Sequence, residues 1–182
     1  MSPFTKGAVK KAPRIDYLAT SYDDLGMRAT RLLAYDATEI SAILRGHLLV
    51  ERAIGALIAQ KMTKPERFFR SQRISFETKV DLASALGVLP DTHVGAAKAL
   101  NNIRNSYSHD EEHKLSLGEL NSLKIKWTPA QNKAFAVVCS KGIEEAAKTA
   151  VLFLNWSFLK LLPQRKQPPN NRRSRRAADP ER

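Results

Sequence analysis

Between Ile40 and Ile58 the large aliphatic residues recur at helical intervals. Counted from Ile40, the residues Ile43, Leu44, Leu48, Ile54, Leu57 and Ile58 lie three, four or sums of these along the chain. Residues so spaced share one face of an α-helix. The spacing predicts a long amphipathic helix reaching about Met62, with these seven side chains forming one inward stripe. Asp36-Ala-Thr-Glu39 has the form of a capping box, which would open that helix. Such a stripe cannot stay in water, so the chain must supply other helices or a sheet to cover it.

The rest of the sequence supplies helices. Tyr22 to Tyr35 reads as an earlier helix with Leu25, Leu32 and Leu33 inward. Pro65 starts a short piece with Phe68 and Phe69 as core anchors. Ser75 caps a helix from Phe76 to Leu86, stopped by Gly87. Pro90-Asp91-Thr92 is a turn and a cap before a helix from about Val94 to at least Asn105. A polar stretch, Ser106 to Gly118, follows. Thr128-Pro129-Ala130-Gln131 opens a last helix that can run to Leu162, where Pro163 ends it. Leu123 to Trp127 alternates like a strand but has no partner strand, so no sheet is expected. The fold class expected is all-α, an antiparallel helical bundle.

Charge divides the chain. The 182 residues hold 30 Lys and Arg against 18 Asp and Glu, a net charge of +12. Residues 1–14 carry +4, residues 163–182 carry +5, and the 148 residues between carry only +3. Three segments follow: a basic N-terminal tail (1–14), a helical domain (15–162) and a basic C-terminal tail (163–182). Both tails are expected to be disordered; the C-terminal one has little to bury. Its Arg165, Lys166, Arg172, Arg173, Arg175 and Arg176 suit a solvated tail or an arm that holds nucleic acid through phosphates. One cysteine, Cys139, excludes a disulfide framework within the chain. No apolar run approaches the length of a membrane span, and residues 1–14 lack a secretory signal, so a cytoplasmic protein with no membrane partner is expected.

The segment richest in chemistry is Leu100-Asn-Asn-Ile-Arg104-Asn105-Ser-Tyr107-Ser-His109-Asp110. Asn105 and His109 are four apart and lie about 40° from one another on a continuing helix. Arg104 and His109 are five apart and point about 140° apart. One regular helix cannot aim both at the same atom. Either the helix ends near Ser106 and the chain bends back, or two chains contribute across a two-fold interface.

Arg-Asn, four intervening residues and His, behind an amphipathic helix pair, resemble the HEPN domain superfamily. The resemblance covers roughly residues 36–160 by architecture. It draws on Arg45-Gly-His-Leu-Leu-Val-Glu51, Ile74-Ser-Phe-Glu-Thr-Lys-Val-Asp-Leu-Ala-Ser-Ala-Leu-Gly87 and Leu100-Asn-Asn-Ile-Arg104-Asn105. The same three stretches are similar to the mannitol operon repressor family, whose members are regulators. Neither resemblance extends to the tails.

The HEPN resemblance implies a helical homodimer, and in many members a metal-independent RNA endonuclease of the toxin or defence kind, with a cognate antitoxin. Arg104 and His109 would be catalytic and Asn105 would assist. The residue types suit that chemistry. A neutral imidazole can take the proton from a ribose 2′-hydroxyl. The alkoxide then attacks the adjacent phosphate, and the Arg104 guanidinium stabilises the charge that develops. No cofactor is implied. The repressor-like resemblance implies instead a non-catalytic regulator that binds protein or nucleic acid. A bland reading makes Arg104 a helix C-terminal cap or a partner of Glu51, with His109 a surface residue.

Other groups carry weaker signals. His109-Asp-Glu-Glu-His113 has two His four apart, but Asp110 stands where the metalloprotease pattern needs Glu, and no third ligand follows, so no metal is assigned. His47 and Glu51, four apart near the apolar stripe, would pair with each other, or Glu51 would orient Arg104 from behind. Cys139, Trp127 and Trp156 read as packing residues.

Overall fold

A computed structural model describes residues 16–31, 38–71, 74–110 and 112–163 of the protein. The basic residues Arg165 to Arg176, residues 1–14, Asp36, Leu32, Leu33 and Tyr35 lie outside them. Every element among the described residues is helical: α1 (Tyr22–Thr30), α2 (Glu39–Ala59), α3 (Pro65–Ser71), α4 (Phe76–Ala85), α5 (Asp91–His109), α6 (Leu117–Asn121), α7 (Pro129–Cys139) and α8 (Ile143–Leu159).

Helix α2 is the spine. It packs against α8, α4 and α5, while α8 also meets α7, α1 and α6. Ile43, Val50, Ile54 and Ile58 of α2, Leu100 of α5 and Leu154 and Phe158 of α8 are wholly buried in one core. Each such side chain contributes about 1.5–3 kcal/mol. The tightest crossing is at Gly46. A Cβ there would overlap Val151 Cγ1 of α8. The buried Asn155 amide, on the same helix, lies 3.4 Å from the Gly46 carbonyl oxygen.

The stripe on α2 divides. Ile43, Ile54, Leu57 and Ile58 are buried as expected, but Ile40, Leu44 and Leu48 are 46%, 45% and 45% exposed. The reason is angular. Each four-residue step turns about 40°, so Leu48 has moved some 140° round the helix from Ile43. The spacings are all helical, yet they trace two lines.

Local chemistry fixes the ends. Thr38 caps α2, accepting from the Ser41 amide, where Asp36 was expected. Ser75 caps α4, and Gly87 takes φ +68° beyond its end. Pro90 is the residue before α5, which starts three residues earlier than Val94 and runs without a break to His109. The expected polar stretch 106–118 therefore begins as helix. It also holds a capping box that the sequence reading missed: Ser116 and Glu119 bond reciprocally and open α6.

The single helix expected over 129–162 is two. Thr128 and Gln131 form the expected capping box of α7, but α7 ends at Cys139 and Gly142 turns the chain at φ +130°. That backbone conformation suits a residue without a Cβ. Leu123 to Trp127 forms no strand. Leu123 and Ile125 point into the core, and Lys124 lays its ammonium 5.0 Å from the Trp127 ring and 4.7 Å from that of Phe135. Phe68 and Phe69 are half-buried and meet edge-on; Phe69 packs against the core from its margin rather than within it. Cys139, Trp127 and Trp156 pack against the core from its edge.

Candidate functional site

On α5, Asn101, Arg104 and Asn105 are three and four apart and share one edge of the helix. That edge faces α2 and the start of α4. Between them lies an open cleft of about 460 Å³, lined by His47, Glu51, Ile74, Ser75, Phe76, Glu77, Asn101, Arg104 and Asn105. The structure thus brings together four of the residues singled out in the sequence: Arg104, Asn105, His47 and Glu51. It leaves the fifth, His109, out of that wall. His109 is the exposed last residue of α5. The chain does not bend back after Ser106, so within one protomer Arg104 and His109 stay about 140° apart.

The pairings differ from those expected. His47 does not take Glu51 as its partner; its Nε2 stands 3.0 Å from Asn101 Oδ1. Asn101 Nδ2 donates to Glu77 Oε1 at 3.1 Å. Glu51 pairs with Lys79 of α4 at 2.6 Å rather than with Arg104. Arg104 Nη1 donates to Asn105 Oδ1 at 2.8 Å. The geometry explains the change. Glu51 faces α4 at the level of Lys79, whereas Asn101 is the polar group that α5 turns toward His47.

Burial pushes the His47 imidazole below its ordinary range. The bond to Asn101 and the charge of Glu51 oppose that shift, and Arg104 and Lys79 add to it. The ring also stacks on Phe76, with centroids 4.1 Å apart. His47 is therefore held on one face and one edge.

Asn101, Glu77, Lys79 and Phe76 lie in the stretches that carry the resemblances, but none was assigned a role in a site from the sequence. One signal for Asn101 was available: an amide on the apolar face of α5, 6% exposed in the fold, needs a partner.

The far end of α5 is fixed differently. Tyr107 donates its hydroxyl proton to Glu39 Oε1 at 3.2 Å, and burial, with Glu39 beside it, pushes the phenol above its ordinary value. His113 packs edge-on against Tyr107, at 4.8 Å, and places Nε2 3.3 Å from Glu119 Oε1. His113 is thereby committed to α5 and α6, away from a shared site with His109. Among the described residues no cluster of three or more His, Cys, Asp or Glu could hold a metal ion.

A second depression, of about 520 Å³, adjoins the first. Its lining includes Tyr17, Leu48, Glu51, Arg52, Gly55, Phe69 and Lys79. Glu51 lines both, and its ion-pair partner Lys79 lines the second. Leu48 carries the exposed Ile40–Leu44–Leu48 ridge into this second depression. Cleft and depression thus meet at Glu51, and the ridge reaches the depression at Leu48.

These features define an all-helical protein with a half-apolar, half-polar surface along its central helix. The fold is similar to that of the mannitol operon repressor MtlR in an X-ray structure of the MtlR–HPr complex from Escherichia coli, with a TM-score of 0.57 and 16% identity over 76% of this chain and 98% of that one. At that identity the likeness shows the fold alone. No protein-family profile and no curated protein sequence matches the chain, so the HEPN resemblance rests on its residues only. No helix among the described residues is long and apolar enough to cross a membrane.

Proposed function

We propose that this protein is a non-catalytic regulator that acts by binding a protein partner along α2. The observation that carries this reading is the Ile40–Leu44–Leu48 ridge, three large aliphatic side chains in line, each nearly half exposed. Contiguous apolar surface bordered by polar groups is characteristic of docking sites. Arg104 and Asn105 of the adjoining cleft supply the polar margin. The likeness in fold to a chain solved together with a protein partner, HPr, supports the same reading. Calorimetric titration with Escherichia coli HPr tests it. Binding that is lost in Leu44→Asp supports it; no heat with HPr, together with RNA cleavage by the wild type, would replace it.

A second reading rests on α5 itself. Arg104 and His109 are both exposed on one unbroken helix and point apart. In a homodimer, Arg104 of one copy and His109 of the other can converge on one phosphate, with Asn105 beside them. This is the HEPN-type endoribonuclease, a toxin held by an antitoxin. Incubation with mixed-sequence RNA in EDTA separates the readings. Cleavage lost in His109→Ala supports the nuclease, and intact RNA supports the regulator.

A further inference from the structure

The cleft contains a chain of hydrogen bonds whose polarity is fixed from one end. Glu77 is exposed, and as a carboxylate it only accepts. The Asn101 amide must therefore turn its NH₂ toward Glu77, as its 3.1 Å bond shows. Its carbonyl oxygen then faces His47 Nε2 at 3.0 Å. A carbonyl oxygen also only accepts, so Nε2 must carry the proton. The neutral imidazole then has a bare lone pair on Nδ1.

We propose that Glu77, acting through Asn101, fixes the tautomer of His47, so that its free ring lone pair belongs to a cleft that Arg104 also lines. Glu77 and Asn101 are positioning residues in this scheme. The partner group that suits His47 is a hydrogen-bond donor, an amide N–H or a hydroxyl, and the group that suits Arg104 is an acceptor or an anion. A partner that presents a donor next to a carboxylate or phosphate matches both. The stack on Phe76 supports the scheme by fixing the ring plane. Burial supports it by favouring the neutral form. The assignment of a ligand class rests on the reading of this surface as a docking site; the assignment of the tautomer does not.

The experiment reads the tautomer in the free protein, so it stands apart from any test of binding. A long-range ¹H–¹⁵N correlation spectrum of the ¹⁵N-labelled full chain at pH 7.5 reports which ring nitrogen of each histidine carries the proton. The His47 signals are identified by their loss in His47→Gln. The wild type is expected to show a single His47 tautomer with the proton on Nε2. In Glu77→Gln the new side chain can donate as well as accept, so Asn101 is free to turn over. His47 is then expected to become a mixture of both tautomers, while the other three histidines keep theirs. A wild-type proton on Nδ1 overturns the proposal. So does an unchanged pure Nε2–H tautomer in Glu77→Gln. Glu77 is exposed, so the substitution leaves the core untouched, and the wild-type measurement needs no variant.

Discussion

Arg104 shares its cleft with His47, and His109 lies outside that cleft's walls. The histidine that shares the arginine's cleft is thus the one 57 positions away in sequence, and the one five positions away is not among its lining residues. Within one protomer Arg104 and His47 line the same cleft, and a site that used Arg104 with His109 is expected to draw on a second copy.

The clearest consequence concerns RNA. With His109 directed away from the cleft, the regulator reading expects the purified protein to leave mixed-sequence RNA intact in EDTA, as seen on a denaturing gel. Cleavage products ending in a 2′,3′-cyclic phosphate would mark the nuclease instead. In that case His109→Ala should lower the rate on the order of 10²–10⁴-fold and Arg104→Ala on the order of 10²–10³-fold. Sedimentation should then give about twice 20.3 kDa.

Leu44→Asp removes the middle of the exposed ridge. The side chain is 45% exposed, so unfolding free energy should fall by only about 1–2 kcal/mol, from partial burial and lower helix propensity. A change in HPr binding or self-association with no more than that modest loss of stability would locate the docking surface. A large fall in midpoint would show that Leu44 is covered within the fold.

Gly46→Ala should behave in the opposite way. Its Cβ has to displace Val151 at the tightest point between α2 and α8. Overpacking of this kind costs about 1–3 kcal/mol, read as a lower urea midpoint. Val151→Ala in the same chain should restore part of the loss by vacating the colliding methyls.

Stability should fall on acidification before the carboxylates titrate. Burial is the largest influence on both His47 and His93, and it holds both below 6.5 in the folded chain. The unfolded chain therefore binds more protons between the folded values and 6.5, and stability rises with pH across that window. Thermal midpoints measured from pH 7.5 down to 5 should drop progressively. The drop should be smaller in His47→Gln, and a flat profile in the wild type would contradict the buried, neutral histidines.

What the sequence determined by itself is local. Periodicity placed α2, α4 and the body of α5, because side chains three and four apart must share a face. Ser75 and Gly87 set the ends of α4, and Thr128 with Gln131 the start of α7, because helix termini need partners for orphaned amides and carbonyls. The same arithmetic correctly separated Arg104 from His109 once α5 proved continuous. The sequence could not choose which of two lines on α2 would be covered, since both obey the spacing; α8, pressed close at Gly46, covers Ile43 and leaves Leu44 and Leu48 in solvent. The break at Gly142 was overlooked although Ser140-Lys141-Gly142 and then Glu144-Glu145 carry a stop and a start signal, because the apolar residues continue at helical spacing beyond it. The partners of His47 and Glu51 were decided only in three dimensions. Both residues had plausible partners on their own helix or on Arg104, but a hydrogen bond or ion pair goes to whichever group packing brings within reach. Here α5 brings Asn101 to His47, and α4 brings Lys79 to Glu51.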